Sequence, residues 1–168
     1  MIYYTVVKRL IWLMAAALAL SVTACERNPR ARLVGNPAPD FTVTDSDHTV
    51  ALHDLHGQLV LLNFWAAHCG PCIDEMPSLV QLQARMGSKI TILGVGVDTS
   101  NDDYHQFLRQ FGVNFLTVRD PDKKSYYLYG ATGYPETTII DRSGTVRRKF
   151  VGPKDWNSPE IVEYLQKL

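Results

Sequence analysis

Gln58 to Ala66, QLVLLNFWA, is an apolar run of strand length. A run of this kind reads as a central strand buried on both faces, which requires covering layers above and below a sheet. His68-Cys69-Gly70-Pro71-Cys72 follows at once. From Pro71 to about Met86 the apolar residues Ile73, Met76, Leu79, Val80 and Leu82 fall at helical spacing, with Pro77 inside the helix and expected to kink it. A buried strand therefore runs directly into a helix, and two cysteines sit at the junction.

The remaining segments extend this pattern. DFTVTDSDHTVALHDL alternates around a turn at Asp45–His48 and reads as a hairpin. KITILGVGVD reads as a second buried strand, Asp102 to Phe111 as a helix ended by Gly112, FLTVRD as a strand and SYYLYGAT as a short helix. ETTIIDRSGTVRRKFVG reads as two strands joined by Asp-Arg-Ser-Gly, and the last helix starts near Ser158-Pro159. Alternating strands and helices with a terminal hairpin predict an α/β fold, a mixed sheet with helices on both faces. A chain of 168 residues, 46% apolar and 20% charged, suits one such domain. Its formal charge of zero gives no basic surface for nucleic acid.

The first residues stand apart. Lys8 and Arg9 precede the apolar run Leu10 to Leu20, then SVTA and Cys25. Basic, apolar and small-residue regions in this order read as an export signal. The 16 uncharged residues from Leu10 to Cys25 fall short of the roughly 20 that a membrane span needs. VTAC resembles the bacterial lipobox, whose cysteine is lipidated and becomes the mature N-terminus. The organisation expected is a signal peptide over 1–24, lipid on Cys25, a polar tether over 25–36 containing Pro29, and a domain over 37–168. A plain signal peptide and an uncleaved anchor are the alternatives, and all three place the domain outside the cytoplasm, where disulfides persist. If Cys25 carries lipid, Cys69–Cys72 is the one disulfide the mature chain can form internally.

Three chemistries can use Cys69 and Cys72. A structural zinc site needs four ligands, and the chain has no second cysteine pair and no suitably spaced histidine pair beside this one. His53 and His56 lie in the hairpin region, while His68 can offer a soft metal a third ligand. A structural staple closing so short a segment restricts little of the unfolded chain. Redox exchange fits best. Cys69 at a helix N-terminus meets free N–H groups and the positive end of the helix dipole, which favour the thiolate that attacks disulfides. Cys72, one turn inward, resolves the mixed disulfide. DTSNDD, Asp98 to Asp103, lacks the glycine and distant glutamate of a calcium loop and reads as a strand end and helix cap.

Here the sequence resembles a known family. FWAAHCGPC is similar to the thioredoxin active site, and YPETTIID to the cis-proline segment of thioredoxin-like proteins. GNPAPDFTV, CGPCIDEMP and YGATGYPETTIIDRSG resemble the extracytoplasmic TlpA/ResA/CcmG (DsbE) branch, over about residues 35–168. The resemblance implies a thioredoxin fold with an N-terminal β-hairpin extension and a cis Tyr134–Pro135 bond. Asn63 stands where thioredoxin has a buried aspartate, so Glu75 is the candidate for the buried acid. A partly buried carboxylate there has a raised pKa and can exchange a proton with the resolving thiol. His68, where Trp or Tyr is usual, can favour the Cys69 thiolate as a cation. Tyr134 and Pro135 shape the partner site, and Trp65 packs beside it.

The resemblance further implies a membrane-tethered thiol–disulfide oxidoreductase with no metal and no organic cofactor, since the cysteine pair carries the electrons. Its partners would be disulfide-containing proteins such as apocytochrome c, in cytochrome c biogenesis, with a DsbD/CcdA-type membrane electron donor. Two alternatives stay open. A peroxiredoxin-like enzyme shares APDF near the domain start, but LNFWAAHCG lacks the Pro-x-x-x-Thr/Ser-x-x pattern before its cysteine. A copper-binding module would use Cys69, Cys72 and a histidine.

Overall fold

The computed structural model describes residues 33–168. The expected signal segment 1–24, Cys25 and the tether up to Ala31 and Arg32 lie outside the described residues. Leu33 to Asn36, also expected in the tether, are held against the sheet: Gly35 N–H donates to Val146 O at 2.8 Å, and Val146 N–H to Asn36 O at 2.9 Å.

The strands are β1 (Thr42–Thr44), β2 (Thr49–Ala51), β3 (Val60–Trp65), β4 (Thr91–Gly96), β5 (Leu116–Arg119), β6 (Glu136–Ile140) and β7 (Val146–Val151). The helices are α1 (Gly70–Met86), α2 (Asn101–Phe111), α3 (Lys124–Leu128) and α4 (Pro159–Gln166), with short 3-10 turns at Leu52–Leu55 and Gly87–Lys89. β1 and β2 pair as the predicted hairpin. The main sheet has the order β5-β4-β3-β6-β7, so the apolar run does form the central strand. β3, β4 and β5 are parallel, and β6 and β7 are antiparallel to their neighbours. The architecture is a thioredoxin fold with an N-terminal hairpin.

Every residue of β3 is buried, and the period of two divides them between two cores. Val60, Leu62 and Phe64 face Tyr126 and Tyr129, together with Phe41, Val43 and Val50 from the hairpin region. Leu61 and Trp65 face α1, α2 and α4, where Met76, Leu79, Leu82, Phe107, Val162 and Leu165 are buried. Burial of each such aliphatic side chain contributes about 1.5–3 kcal/mol. Asn63, between Leu61 and Trp65, therefore points toward α1, and this single polar residue in β3 is fully buried.

The buried stripe of α1 differs from the one expected. Cys72, Glu75, Met76, Leu79, Leu82 and Met86 face inward, while Ile73 is 38% exposed and Val80 half-buried. The helix turns its buried glutamate, not Ile73, to the sheet. α1 is assigned as one helix through Pro77, which sits on its exposed side. At the far edge, β7 has β6 as its one strand partner in the sheet among the described residues, and its Arg147 and Arg148 are exposed.

Candidate active site

The site assembles where β3 ends. Cys69 caps the N-terminus of α1, and its Sγ accepts from the Cys72 N–H at 3.2 Å. Pro71 occupies the first turn, where its missing N–H costs nothing. Cys69 is half-buried and Cys72 fully buried. The two form a disulfide with Cα atoms 5.2 Å apart.

Two carboxylates hold the loop and the helix in place. Asp98, just beyond β4, accepts from the Ala67 N–H with both oxygens, at 2.9 and 3.1 Å. This ties the loop carrying the cysteines to the neighbouring strand, and burial pushes the Asp98 carboxyl above its ordinary range. Asp98 was legible only as a strand end, because its contact is made 31 residues away along the chain.

Glu75 is 2% exposed, more deeply buried than its sequence suggested. Asn63 Nδ2 donates to its Oε1 at 2.8 Å, and Oε2 accepts from Trp156 Nε1 and from the Lys154 N–H, both at 3.1 Å. Asn63 Nδ2 also donates to Thr137 Oγ1 at 2.9 Å. Burial pushes the Glu75 carboxyl upward, and these hydrogen bonds from Trp156, Asn63 and Lys154 only partly oppose it. Its hydrogen-bond donors are all uncharged groups. Cys72 and Glu75, three residues apart on one helix face, are neighbours.

The Tyr134–Pro135 bond is cis, as the resemblance implied. Pro135 immediately precedes β6, whose Glu136 pairs with Phe64 near the end of β3. Tyr134 is half-buried with its ring centroid 5.0 Å from that of Tyr126, and burial pushes its phenol upward. His68 is largely exposed and its Nε2 lies 3.1 Å from Asp103 Oδ2 at the start of α2. Trp65 is buried and stacks on Phe107 and Tyr104, with ring centroids 4.4 and 5.5 Å apart.

The structure thus brings Glu75 to Asn63, Trp156 and Lys154, and places His68 on Asp103. Among the described residues, the one group of His, Cys, Asp and Glu side chains close enough to share a metal ion is Asp45, Asp47 and His48, which includes neither cysteine. His53 pairs with Asp40 at 2.9 Å.

The AhpC/TSA family matches residues 34–149. The thiol-disulfide oxidoreductase ResA of Bacillus thuringiensis (strain Al Hakam) is 31% identical over 137 residues, covering 80% of this chain and 78% of the relative. The thiol:disulfide interchange protein DsbE of Allochromatium vinosum is 31% identical over 146 residues, covering 84% and 80%. A crystal structure described as a thiol:disulfide interchange protein DsbE from Chlorobium tepidum superposes with a TM-score of 0.70 at 34% identity, covering 80% of this chain and 93% of that one.

Proposed function

The chain belongs to the AhpC/TSA family and is a thiol–disulfide oxidoreductase of the ResA and DsbE type, and from that premise we propose that it reduces disulfides in partner proteins outside the cytoplasm. The observation that carries this reading is the unequal placement of the two sulfurs, one half-buried at a helix N-terminus and one fully buried a turn behind it.

In the reduced protein, the Cys69 thiolate attacks one sulfur of the partner disulfide. That S–S bond breaks, a mixed disulfide forms, and the partner's other sulfur leaves as a thiolate that takes up a proton. Cys72 then loses its proton to Glu75 and attacks Cys69 Sγ. The mixed disulfide breaks, the partner's second sulfur leaves as a thiolate that takes the proton back from Glu75, and Cys69–Cys72 is oxidised. The partner gains two electrons and two protons; the protein supplies both electrons and the Cys72 proton, and solvent supplies the other proton, released when Cys69 ionised. Glu75 suits the proton step because burial raises its proton affinity toward that of a thiol. Tyr134 and Pro135 contact the partner segment beside the cysteines, and His68 adds positive charge at the approach when protonated.

Lipid on Cys25 tethers the domain to the membrane surface, and a membrane electron donor of the DsbD/CcdA type returns the electrons. Apocytochrome c is the partner to test first, because its haem-binding cysteines need to be reduced before haem attachment. The test has two arms on a soluble form beginning after Cys25. Equilibration with thiol buffers gives the potential of Cys69–Cys72: about −270 mV or lower marks a reductant, while about −120 mV marks a disulfide donor and ends the reductase reading. Cys72→Ser then accumulates the mixed disulfide, whose partner is identified after gel separation under non-reducing conditions.

A further inference from the structure

The thiol chemistry uses Glu75 and leaves a second buried glutamate unexplained. Glu136 is 1% exposed, and its Oε1 lies 2.6 Å from Lys149 Nζ, whose side chain is 7% exposed. Both side chains lie on the face of the sheet opposite Glu75, from the first residue of β6 and the middle of β7. Each partner of the pair also reaches the segment that leads into the cis-proline. Lys149 Nζ donates to Tyr129 O at 2.8 Å, and Glu136 Oε2 accepts from the Thr132 N–H at 3.3 Å. Tyr129 is itself fully buried and donates its hydroxyl to Pro39 O at 2.8 Å.

A buried ion pair is a poor source of stability, because desolvating both ions offsets their attraction, and apolar residues of equal volume often serve as well. What distinguishes this pair is where its remaining hydrogen bonds go. They run from two sheet strands to the backbone on either side of Gly130, which has φ +59° and ends α3. The ions are fixed by strand register, with Glu136 opposite Val151 and Lys149 opposite Thr138, so the loop backbone is referenced to the sheet. The sheet in turn places β3, from which the cysteine loop departs.

We propose that Glu136 and Lys149 are positioning residues that hold the Tyr129–Pro135 segment at the height at which a partner peptide meets Cys69. The inference rests on the reading of Tyr134 and Pro135 as partner contacts, and goes beyond it by naming what sets their position. The pair acts on docking of large substrates and leaves the sulfur chemistry alone.

The test compares a protein disulfide with a small one. Steady-state reduction of insulin, with dithiothreitol as the electron source, gives KM and kcat. The rate of the reduced protein with 5,5′-dithiobis(2-nitrobenzoate) reports the thiols without peptide docking. Glu136→Leu with Lys149→Met removes both backbone tethers at similar volume. Glu136→Gln with Lys149→Met keeps an acceptor for Thr132 and serves as the milder variant if the first does not fold. The expected result is an insulin KM raised about tenfold in the first variant, equivalent to roughly 1.4 kcal/mol, and raised less in the second. The kcat and the small-disulfide rate stay within about twofold. An unchanged insulin KM overturns the proposal, as does an equal loss toward both substrates. Tyr134→Ala separates the underlying reading: if it raises the insulin KM while the pair variants do not, only the positioning role fails. If Tyr134→Ala has no effect, the partner-contact reading itself is wrong.

Discussion

Glu75 and Glu136 are both almost wholly buried, one on each face of the same sheet, and they are held in opposite ways. Glu136 has a lysine ammonium at 2.6 Å. Glu75 has an amide, an indole and a backbone N–H, none with a full charge. Neutral donors moderate the desolvation penalty without cancelling it, so the Glu75 carboxyl binds its proton more tightly than an ordinary glutamate. A carboxylate bridged to a lysine can fix geometry. One whose desolvation outweighs its hydrogen bonds and the attraction of Lys154 can carry a proton. The distinction lies in the donor set, since burial is equal.

The comparison predicts different failures on the two faces. The largest effect is on the Lys149 side. Lys149→Met alone leaves Glu136 as an unpaired buried charge, and should cost about 3–5 kcal/mol of folding stability, read by urea denaturation. A loss below about 1 kcal/mol would show that Glu136 does not depend on Lys149, and the contrast between the two glutamates would collapse. Glu75→Gln should behave the other way. Its fold should survive, while the resolution step, followed by stopped-flow release of the partner thiol, should slow by about 10²-fold.

The same variant makes a smaller prediction about pH. At low pH both folded and unfolded states hold the Glu75 proton. As pH rises through the ordinary glutamate range, the unfolded chain loses its proton first while the folded protein retains its own. The favourable contribution of Glu75 therefore falls across the window between the ordinary value and the raised one. Urea midpoints measured from pH 4 to 8 should decline less steeply in Glu75→Gln than in the parent. Asp98 is also shifted upward and keeps part of the slope in both proteins, so the difference between them isolates Glu75. The smallest effect belongs to His68. Its pair with Asp103 is solvent-exposed, and His68→Ala should change stability by less than about 1 kcal/mol. Any change it makes in the pH profile of attack on 5,5′-dithiobis(2-nitrobenzoate) then reports charge at the approach to Cys69.

The central strand, the helix after it, the cysteine pair and both hairpins could be read from the chain because each is encoded locally, by apolar period or turn residues. The error in α1 has the same origin. A buried glutamate counts as polar in a periodicity argument, so Ile73 took its place in the expected stripe, although Cys72, Glu75 and Leu79 trace the true one. Glu75 itself was suggested by resemblance and by Asn63 at the usual position of the acid. Its partners Lys154 and Trp156 lie 79 and 81 residues away, and nothing local marks them. Lys149 sits in VRRKFV among other basic residues and reads as a surface cation until β6 is laid beside it. Local pattern specifies elements, while polar partners depend on which strands become neighbours.

β7 lies at the edge of the main sheet among the described residues. An outer strand with free backbone groups is a template on which a second copy can add its own strand. Here the exposed Arg147 lies 3.7 Å from Asp141, the exposed Arg148 packs over the rings of Phe150 and Tyr164, and the backbone at the start of the strand is already occupied by Gly35 and Asn36. A second copy adding its own strand along β7 would have to displace the pairing of Val146 with Gly35 and Asn36. Copies of the protein at high concentration could then remain separate molecules, each with its cysteine pair free to meet a partner.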